Sequence, residues 1–305
     1  MSGNARADAS GSGAAALLVY AWLVAQGPQP TALTVGRVTA VAWPAQGALA
    51  AALADAADRS PPFPGVGPLP DRPIRLILAP TRARFDSVTR GRLPSWSDGA
   101  AFPERATVVL LSAGPPDRLT GALRHELAHL ALRWRVRHPL PLWFEEGYAA
   151  VAAGEWDRLD ALRLNWQVAR GVQLDLDGLD RALRSDAADA ASAYALATTA
   201  VLLLDRWGGA QGLGPLIEHL GTDPTFDAAL RRSYHMTEGD FELRWQRDVA
   251  ARYGWVGWAS AVGLFWALLG LGLAWLVRLR RRRDRTRRAL LDEGWALPDD
   301  DGPTA

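Results

Sequence analysis

The segment RHELAHL, residues Arg124 to Leu130, has two histidines four positions apart and a glutamate directly after the first. Leucine and alanine fill the other positions with helical spacing, so the segment is predicted to be a helix. Residues i and i+4 lie on one helix face about one turn apart, so both imidazoles can reach one ion. We therefore predict that His125 and His129 bind a metal, and this arrangement favours zinc.

Glu126 stands one residue after the first histidine, where a carboxylate can take a proton from a metal-bound water. It is the predicted general base. The alternative interpretation is a solvated polar face of an ordinary helix. Leu127 and Leu130 make that alternative less favourable, because two imidazoles and a carboxylate in an apolar helix would be partly buried and would need partners.

Two histidines leave a tetrahedral zinc ion one protein ligand short if water is to hold the fourth position. The segment PLWFEEGYA at 141–149 places Glu145 and Glu146 at the start of a second apolar helix. From the residues alone, either glutamate can be the third ligand. His138 is predicted to be a surface residue.

Composition and charge argue against a nucleic-acid partner and against a metal site built from cysteines. The chain has 305 residues, 49% of them hydrophobic, which is enough for a sizeable core. Its 34 basic residues nearly balance 33 acidic ones, and eight of the arginines lie between Arg278 and Arg288. The centre of the chain therefore lacks the positive charge that a nucleic-acid partner would require. Because there is no cysteine, a metal must be held by histidines and carboxylates.

The first 25 residues start polar and then turn apolar, ending in small residues, which is typical of a secretory signal peptide. An uncleaved membrane anchor is the alternative for residues 1–25. At the other end, residues 253–277 contain no charge and are long enough to span a hydrocarbon core of about 30 Å. We expect a transmembrane helix there, a buried core helix being the alternative.

The arginine-rich tail, 278–305, would face the cytoplasm. It could instead bind anionic lipids or a cytoplasmic partner itself. The centre of the chain is then expected outside the cytoplasm.

The expected fold class is α+β. Apolar, β-branched runs at 33–41, 74–79 and 107–112 predict a small N-terminal mixed β-sheet region within residues 26–116. Apolar residues at helical spacing predict a mainly α-helical catalytic lobe at 117–252. The Asp- and Ala-rich stretch 175–191 is expected to be a loop.

HELAH, followed by the glutamate pair of WFEEGYA, resembles the gluzincin metallopeptidases and is most similar to the peptidase MA-like domains of bacterial membrane proteins. The resemblance implies a gluzincin-like lobe with one Zn²⁺ held by His125, His129 and Glu146. It leaves Glu145 outside the ligand set, with no assigned role.

The stretch 194–209 is similar to the gluzincin helix that opens with a tyrosine. The resemblance implies that the Tyr194 hydroxyl donates a hydrogen bond to the oxyanion of the reaction, which makes Tyr194 a second predicted catalytic residue. An ordinary core aromatic is the alternative.

The chain also departs from the gluzincin pattern. No G-x-M-E-N motif precedes His125, so endopeptidase action is favoured over aminopeptidase action; Thr107–Leu111 fills that place and is expected to be an edge strand that aligns the substrate. Where thermolysin-like members carry an acidic residue that orients a ligand histidine, this chain has Ala150. No partner of a ligand histidine is therefore predicted.

The sequence thus predicts a membrane-anchored zinc endopeptidase that hydrolyses peptide bonds with a metal-activated water. Its partner is expected to be a peptide or protein substrate. We expect it in the bacterial cell membrane as a single-pass protein with its catalytic domain outside the cytoplasm. The alternative is a catalytically degenerate binding or scaffold module that is displayed outside the membrane.

Overall fold

The computed structural model describes residues 29–156, 175–185, 187–253 and 255–293. The predicted signal peptide at 1–25 and the last part of the predicted tail, 294–305, lie outside these ranges. The described part is α+β and mostly helical, with a small mixed sheet near its N-terminus, so the predicted fold class is confirmed at that level.

The strands and helices are named here in chain order. The strands are β1 (Thr31–Val35), β2 (Val38–Ala42), β3 (Ile74–Ala79), β4 (Gly99–Phe102) and β5 (Thr107–Leu111). The first helices are α1 (Gly47–Asp58), α2 (Arg82–Thr89), α3 (Pro116–Arg135), α4 (Leu142–Ala153) and α5 (Leu176–Ala182). The later helices are α6 (Ala187–Trp207), α7 (Gly214–Leu220), α8 (Phe226–Tyr234), α9 (Glu238–Tyr253) and α10 (Trp255–Glu293).

The sheet has five strands in the order β1-β2-β3-β5-β4. Strands β2, β3 and β5 run parallel, whereas β1 and β4 are antiparallel to their neighbours. The two edges of the sheet are therefore β1 and β4. Strand β5 pairs with a strand on each side, so the prediction that Thr107–Leu111 is an edge strand was wrong.

The core explains why β5 is internal. Val108 and Leu110 face a large core shared with α1 and α3, whereas Val109 faces a smaller cluster with Phe85 of α2. A strand covered on both faces is apolar at successive positions rather than alternating. The run TVVLL has that pattern, and it indicates an interior strand.

Two local predictions need correction. The run at 33–41 forms two strands, because Gly36 adopts a left-handed conformation (φ 55°) and turns the chain between β1 and β2. The stretch 175–191, expected to be a loop, contains α5 and the start of α6. The Asp175 side chain accepts a hydrogen bond from the backbone N–H of Gly178, which caps α5.

The predicted membrane span at 253–277, and the membrane partner that it implied, are not supported. No helix in the described parts of the chain is both long and apolar enough to cross a bilayer. Helix α10 does not stop where the apolar run ends at Val277; it continues through the arginines to Glu293.

Candidate metal centre

Helix α3 carries the HELAH segment with one face in the core and the other toward a cleft. Leu127 and Leu130 are fully buried in the large core. The rings of His125 and His129 lie one turn apart with their centroids separated by 5.0 Å. The predicted i, i+4 arrangement is therefore the one that the structure has.

Helix α4 brings Glu146 to these two rings. Its Oε2 atom lies 3.4 Å from Nε2 of His125 and 3.7 Å from Nε2 of His129. Ligand atoms held 2.0–2.1 Å from a tetrahedral ion are separated by about 3.4 Å. Two imidazoles and a carboxylate, with one ligand atom from each within 4.8 Å of the others, form a group that could hold a metal ion.

A side chain from α5, later in the chain, caps the first turn of α4. The Asp180 carboxylate of α5 accepts hydrogen bonds from the backbone N–H groups of Leu142 (3.2 Å) and Trp143 (2.7 Å). These N–H groups belong to the first turn, which has no partners within its own helix. Asp180 therefore acts as a cap that sets where α4 begins, and with it the position of Glu146.

Gly147 allows α4 to approach α6 closely. A Cβ atom at this position would lie 2.5 Å from the backbone oxygen of Ala197. The residue after Glu146 therefore has to lack a side chain if the helix is to pack at this distance.

Arg124 ties α3 to the end of α4. Its guanidinium donates to the backbone oxygen of Ala152 (2.6 Å), to Oγ of Ser60 (2.9 Å) and to the backbone oxygen of Pro61 (3.1 Å), and it lies 4.6 Å from the centroid of the Phe63 ring. The residue before the first histidine is thus a structural link that holds α3 and α4 together.

Glu155 contacts the first histidine from the side opposite Glu146. Both of its carboxylate oxygens lie 3.2 Å from Nδ1 of His125. Gly154 adopts a left-handed conformation (φ 71°) that ends α4 and turns Glu155 back toward α3. A carboxylate on Nδ1 fixes the ring and leaves Nε2 for a metal. Sequence reasoning missed Glu155, and the one signal available was an acidic residue after a helix-ending glycine.

Glu126 lies beside β4. It is buried, and a Cβ atom added at Gly99 would overlap its Oε1 atom. Gly99 is thus a second residue that the sequence did not single out, although it sets the position of the predicted base. Its absent side chain lets the carboxylate lie against the edge of the sheet.

Tyr194, on the cleft side of α6, lies close to the candidate metal ligands His125 and Glu146. Its ring centroid lies 6.5 Å from that of His125, and its ring packs edge-on against Trp96 at 5.9 Å. Burial, together with the charge of Glu146, raises the pKa of its phenol. The hydroxyl therefore stays protonated and can act as a donor.

The charged groups of the centre shift one another's pKa values. Burial alone would lower the pKa of His125 and of His129, but contacts with Glu146, and for His125 also with Glu155, raise both values. Burial would raise the pKa of Glu146, yet the two histidines hold it far below its ordinary value. Burial raises the pKa of Glu126, which is the shift expected of a carboxyl that both takes and returns a proton.

The remaining candidates lie apart from the metal ligands. Glu145 lines the cleft, where its Oε1 atom is 3.5 Å from Nη1 of Arg133. His138 is outside the group of ligands, and its ring nitrogens lie 2.9 Å from the backbone oxygens of Pro139 and Leu220.

A cleft of about 550 Å³ surrounds these residues. It is lined by β4 and the loop before it, by Tyr194 and Leu183, and by Glu126. Cavities of this size are typical of sites for small molecules or short peptide segments. Strand β4, Glu126 and the candidate metal ligands therefore open into one space.

Comparison with known proteins agrees with this geometry. No curated protein matches the chain. A sequence model of one family does match, over residues 67–251, and that range contains β3 to β5, helices α3 and α4, and Tyr194. The fold is accordingly peptidase-like, and because the match covers more than half of its residues, the chain belongs to the Peptidase MA superfamily.

Proposed function

We propose that the protein is a zinc-dependent endopeptidase of the gluzincin type, which hydrolyses internal peptide bonds with an activated water. The observation that carries this proposal is the position of Glu146 Oε2, 3.4 and 3.7 Å from the Nε2 atoms of His125 and His129. The family assignment supports the peptidase chemistry, and the donor set supports a zinc ion.

His125, His129 and Glu146 would hold the ion, and Glu155 would orient His125. A bound zinc ion supplies a Lewis acid that polarises the scissile carbonyl and lowers the pKa of water. Three protein ligands would leave a coordination position for water or the carbonyl oxygen, as in catalytic rather than structural zinc sites.

Glu126 carries the proton in this proposal. Its carboxylate takes a proton from the attacking water as the new C–O bond forms. It then delivers that proton to the leaving amine nitrogen as the C–N bond breaks. The raised pKa of Glu126, caused mainly by burial, suits both transfers better than the pKa of an exposed carboxyl would.

Tyr194 would act on the oxygen of the scissile carbonyl. A negative charge develops on this oxygen when the carbon becomes tetrahedral, and a positioned hydroxyl can stabilise it. The protonated phenol beside Glu146 and His125 supports this role.

Strand β4 would bind the substrate main chain. As the last strand of the sheet, it has one row of N–H and C=O groups that no other strand in the described part of the chain pairs with. An extended peptide can add to such an edge without regard to its own termini. This mode of binding supports cleavage within a chain rather than at its end.

The test combines metal content with activity. The purified chain should contain one zinc ion and cleave an unfolded protein, and a chelator should stop cleavage. The substitution Glu126→Gln should keep zinc and lower hydrolysis by at least roughly 1,000-fold, the order seen when a group essential for proton transfer is lost. His129→Ala should lose both zinc and activity.

Two results would reject the proposal. A purified chain without bound metal, or one that never cleaves any unfolded protein, would favour the degenerate binding module instead. A Glu126→Gln variant as active as the unaltered chain would reject the role of Glu126.

A further inference from the structure

A second cavity, of about 540 Å³, adjoins the metal-centre cleft at the far end of β4. It is strongly basic, because six arginines and a single carboxylate, Glu104, line it. We call this cavity the arginine pocket. Its arginines are Arg72, Arg90, Arg92, Arg105, Arg133 and Arg137.

Most of this positive charge is not neutralised. Among the residues that the structure describes, Arg133 is the one arginine of the pocket that forms an ion pair, with Glu145 at 3.5 Å. The guanidinium of Arg72 lies over the ring of Trp134, 4.7 Å from its centroid. An anionic group that enters the pocket would meet several guanidinium groups, which bind carboxylates well through paired N–H donors.

The pocket and the metal-centre cleft form one continuous surface. Arg92, Phe102 and Arg133 line both cavities. Strand β4 connects them, since Gly99 at its start lies against Glu126 and Phe102 at its end borders the arginine pocket. A peptide paired with β4 would therefore run from the metal centre to the arginines.

The length of β4 determines which residue of a paired peptide would reach the arginine pocket. Phe102 lies three positions after Gly99, and at about 3.4 Å per residue an extended peptide covers this distance with about three of its own residues. Antiparallel pairs are more common than parallel ones. In an antiparallel pair, the segment beside Phe102 lies on the amino-terminal side of the segment beside Gly99.

We propose that the arginine pocket selects substrates with an aspartate or glutamate about three residues to the amino-terminal side of the cleaved bond. This inference rests on the proposed peptidase function and specifies its substrate class. The acidic side chain is recognised within an extended segment, so a free C-terminal carboxylate, on the other side of the bond, is not the ligand.

The test uses the full chain with zinc and peptides that differ at one position. Glu, Gln or Lys is placed three residues before the cleaved bond, and a further peptide carries Glu three residues after it. Glu before the bond should raise kcat/KM over Gln by roughly tenfold, mainly through KM, since several exposed ion pairs act together. About 0.5 M salt should weaken this preference, because it screens exposed charges.

A double variant tests the pocket itself. Arg105 and Arg137 are exposed, so Arg105→Gln with Arg137→Gln should leave the fold intact and reduce the preference for Glu to about threefold or less. The matched control changes Arg244 and Arg247 to Gln, which are exposed on α9 and line neither cavity. This control should keep the full preference.

Binding of the same peptides to the Glu126→Gln variant, followed by fluorescence anisotropy, separates this inference from the proposed function. Failure to cleave any peptide would reject the peptidase, while binding would still report the charge preference. Equal binding of the Glu and Gln peptides would overturn the inference. So would a preference that survives the double variant, or an equal advantage for Glu after the cleaved bond.

Discussion

Gly99 lies so close to Glu126 that a methyl group added at Gly99 would overlap the Oε1 atom of the carboxylate. The substitution Gly99→Ala should therefore displace the predicted base without touching a metal ligand. We expect hydrolysis to fall by roughly 100-fold, since a misplacement of about 1 Å at a reacting group can cost that much. Activity and zinc content measured on the same sample would check this.

A matched glycine provides the control. Gly121 lies in α3, the helix that carries Glu126, but a Cβ atom there would meet nothing within 4 Å. Gly121→Ala should keep full activity and stabilise the protein by about 0.5–1 kcal/mol, because glycine is unfavourable inside a helix. If Gly99→Ala is as active as Gly121→Ala, the contact with Glu126 has no role in catalysis.

Glu155→Gln should weaken metal binding. The carboxylate oxygens of Glu155 lie 3.2 Å from Nδ1 of His125, and the loss of such a partner commonly lowers metal affinity by about 10–100-fold. Zinc competition with a chromophoric chelator measures the change. Glu218→Gln, on the exposed side of α7, should leave the affinity unchanged. Equal affinities of the two variants would mean that Glu155 does not orient the ring.

Tyr194→Phe separates the two interpretations of this residue. Phenylalanine keeps the edge-on contact with Trp96 and removes only the hydroxyl. If the hydroxyl stabilises the oxyanion, kcat should fall by about 100-fold with KM nearly unchanged, as with the loss of one oxyanion donor. An unchanged kcat would identify Tyr194 as a core aromatic residue.

Zinc affinity should fall as the pH is lowered. Although burial works against it, the carboxylates around His125 and His129 raise the pKa of both rings, so protons compete with the metal at pH values above the ordinary pKa of about 6.5. When two protons are displaced, affinity changes by up to roughly 100-fold per pH unit. The pKa of Glu146 is lowered, so this ligand stays charged over the same range.

The stability of the metal-free chain should change in the opposite direction and fall as the pH rises. A raised histidine pKa contributes stability below about pH 6.5, and this contribution is lost as the pH rises through the folded-state values. Thermal unfolding of metal-free and zinc-loaded protein between about pH 6 and pH 9 would reveal this difference. A zinc affinity that stops rising above about pH 6.5 would contradict the raised pKa values of His125 and His129.

The sequence was most informative where one helix determines the geometry. The i, i+4 spacing of His125 and His129 places them on one face whatever the rest of the chain does. The position of Glu146 depends on how α4 packs, and only the resemblance to a known family distinguished it from Glu145. Helical spacing in the second half of the chain likewise indicated most of the helices.

Contacts between residues far apart in the chain could not be predicted from the sequence. Glu155 approaches His125 only because Gly154 turns the chain back at the end of α4. Strand β4 has four residues, GAAF, and none of them is β-branched, so the sequence does not distinguish it from a loop. The edge of the sheet was therefore assigned to Thr107–Leu111, although its unbroken apolar run is typical of a strand covered on both faces.

The ligand group and its orienting carboxylate all come from one continuous segment, His125 to Glu155. The cleft walls come from elsewhere in the chain, with β4 before this segment and α6 after it. Substitutions in these walls, other than at Gly99 and Tyr194, could therefore change which molecules fit the cleft while the segment from His125 to Glu155 stays unaltered.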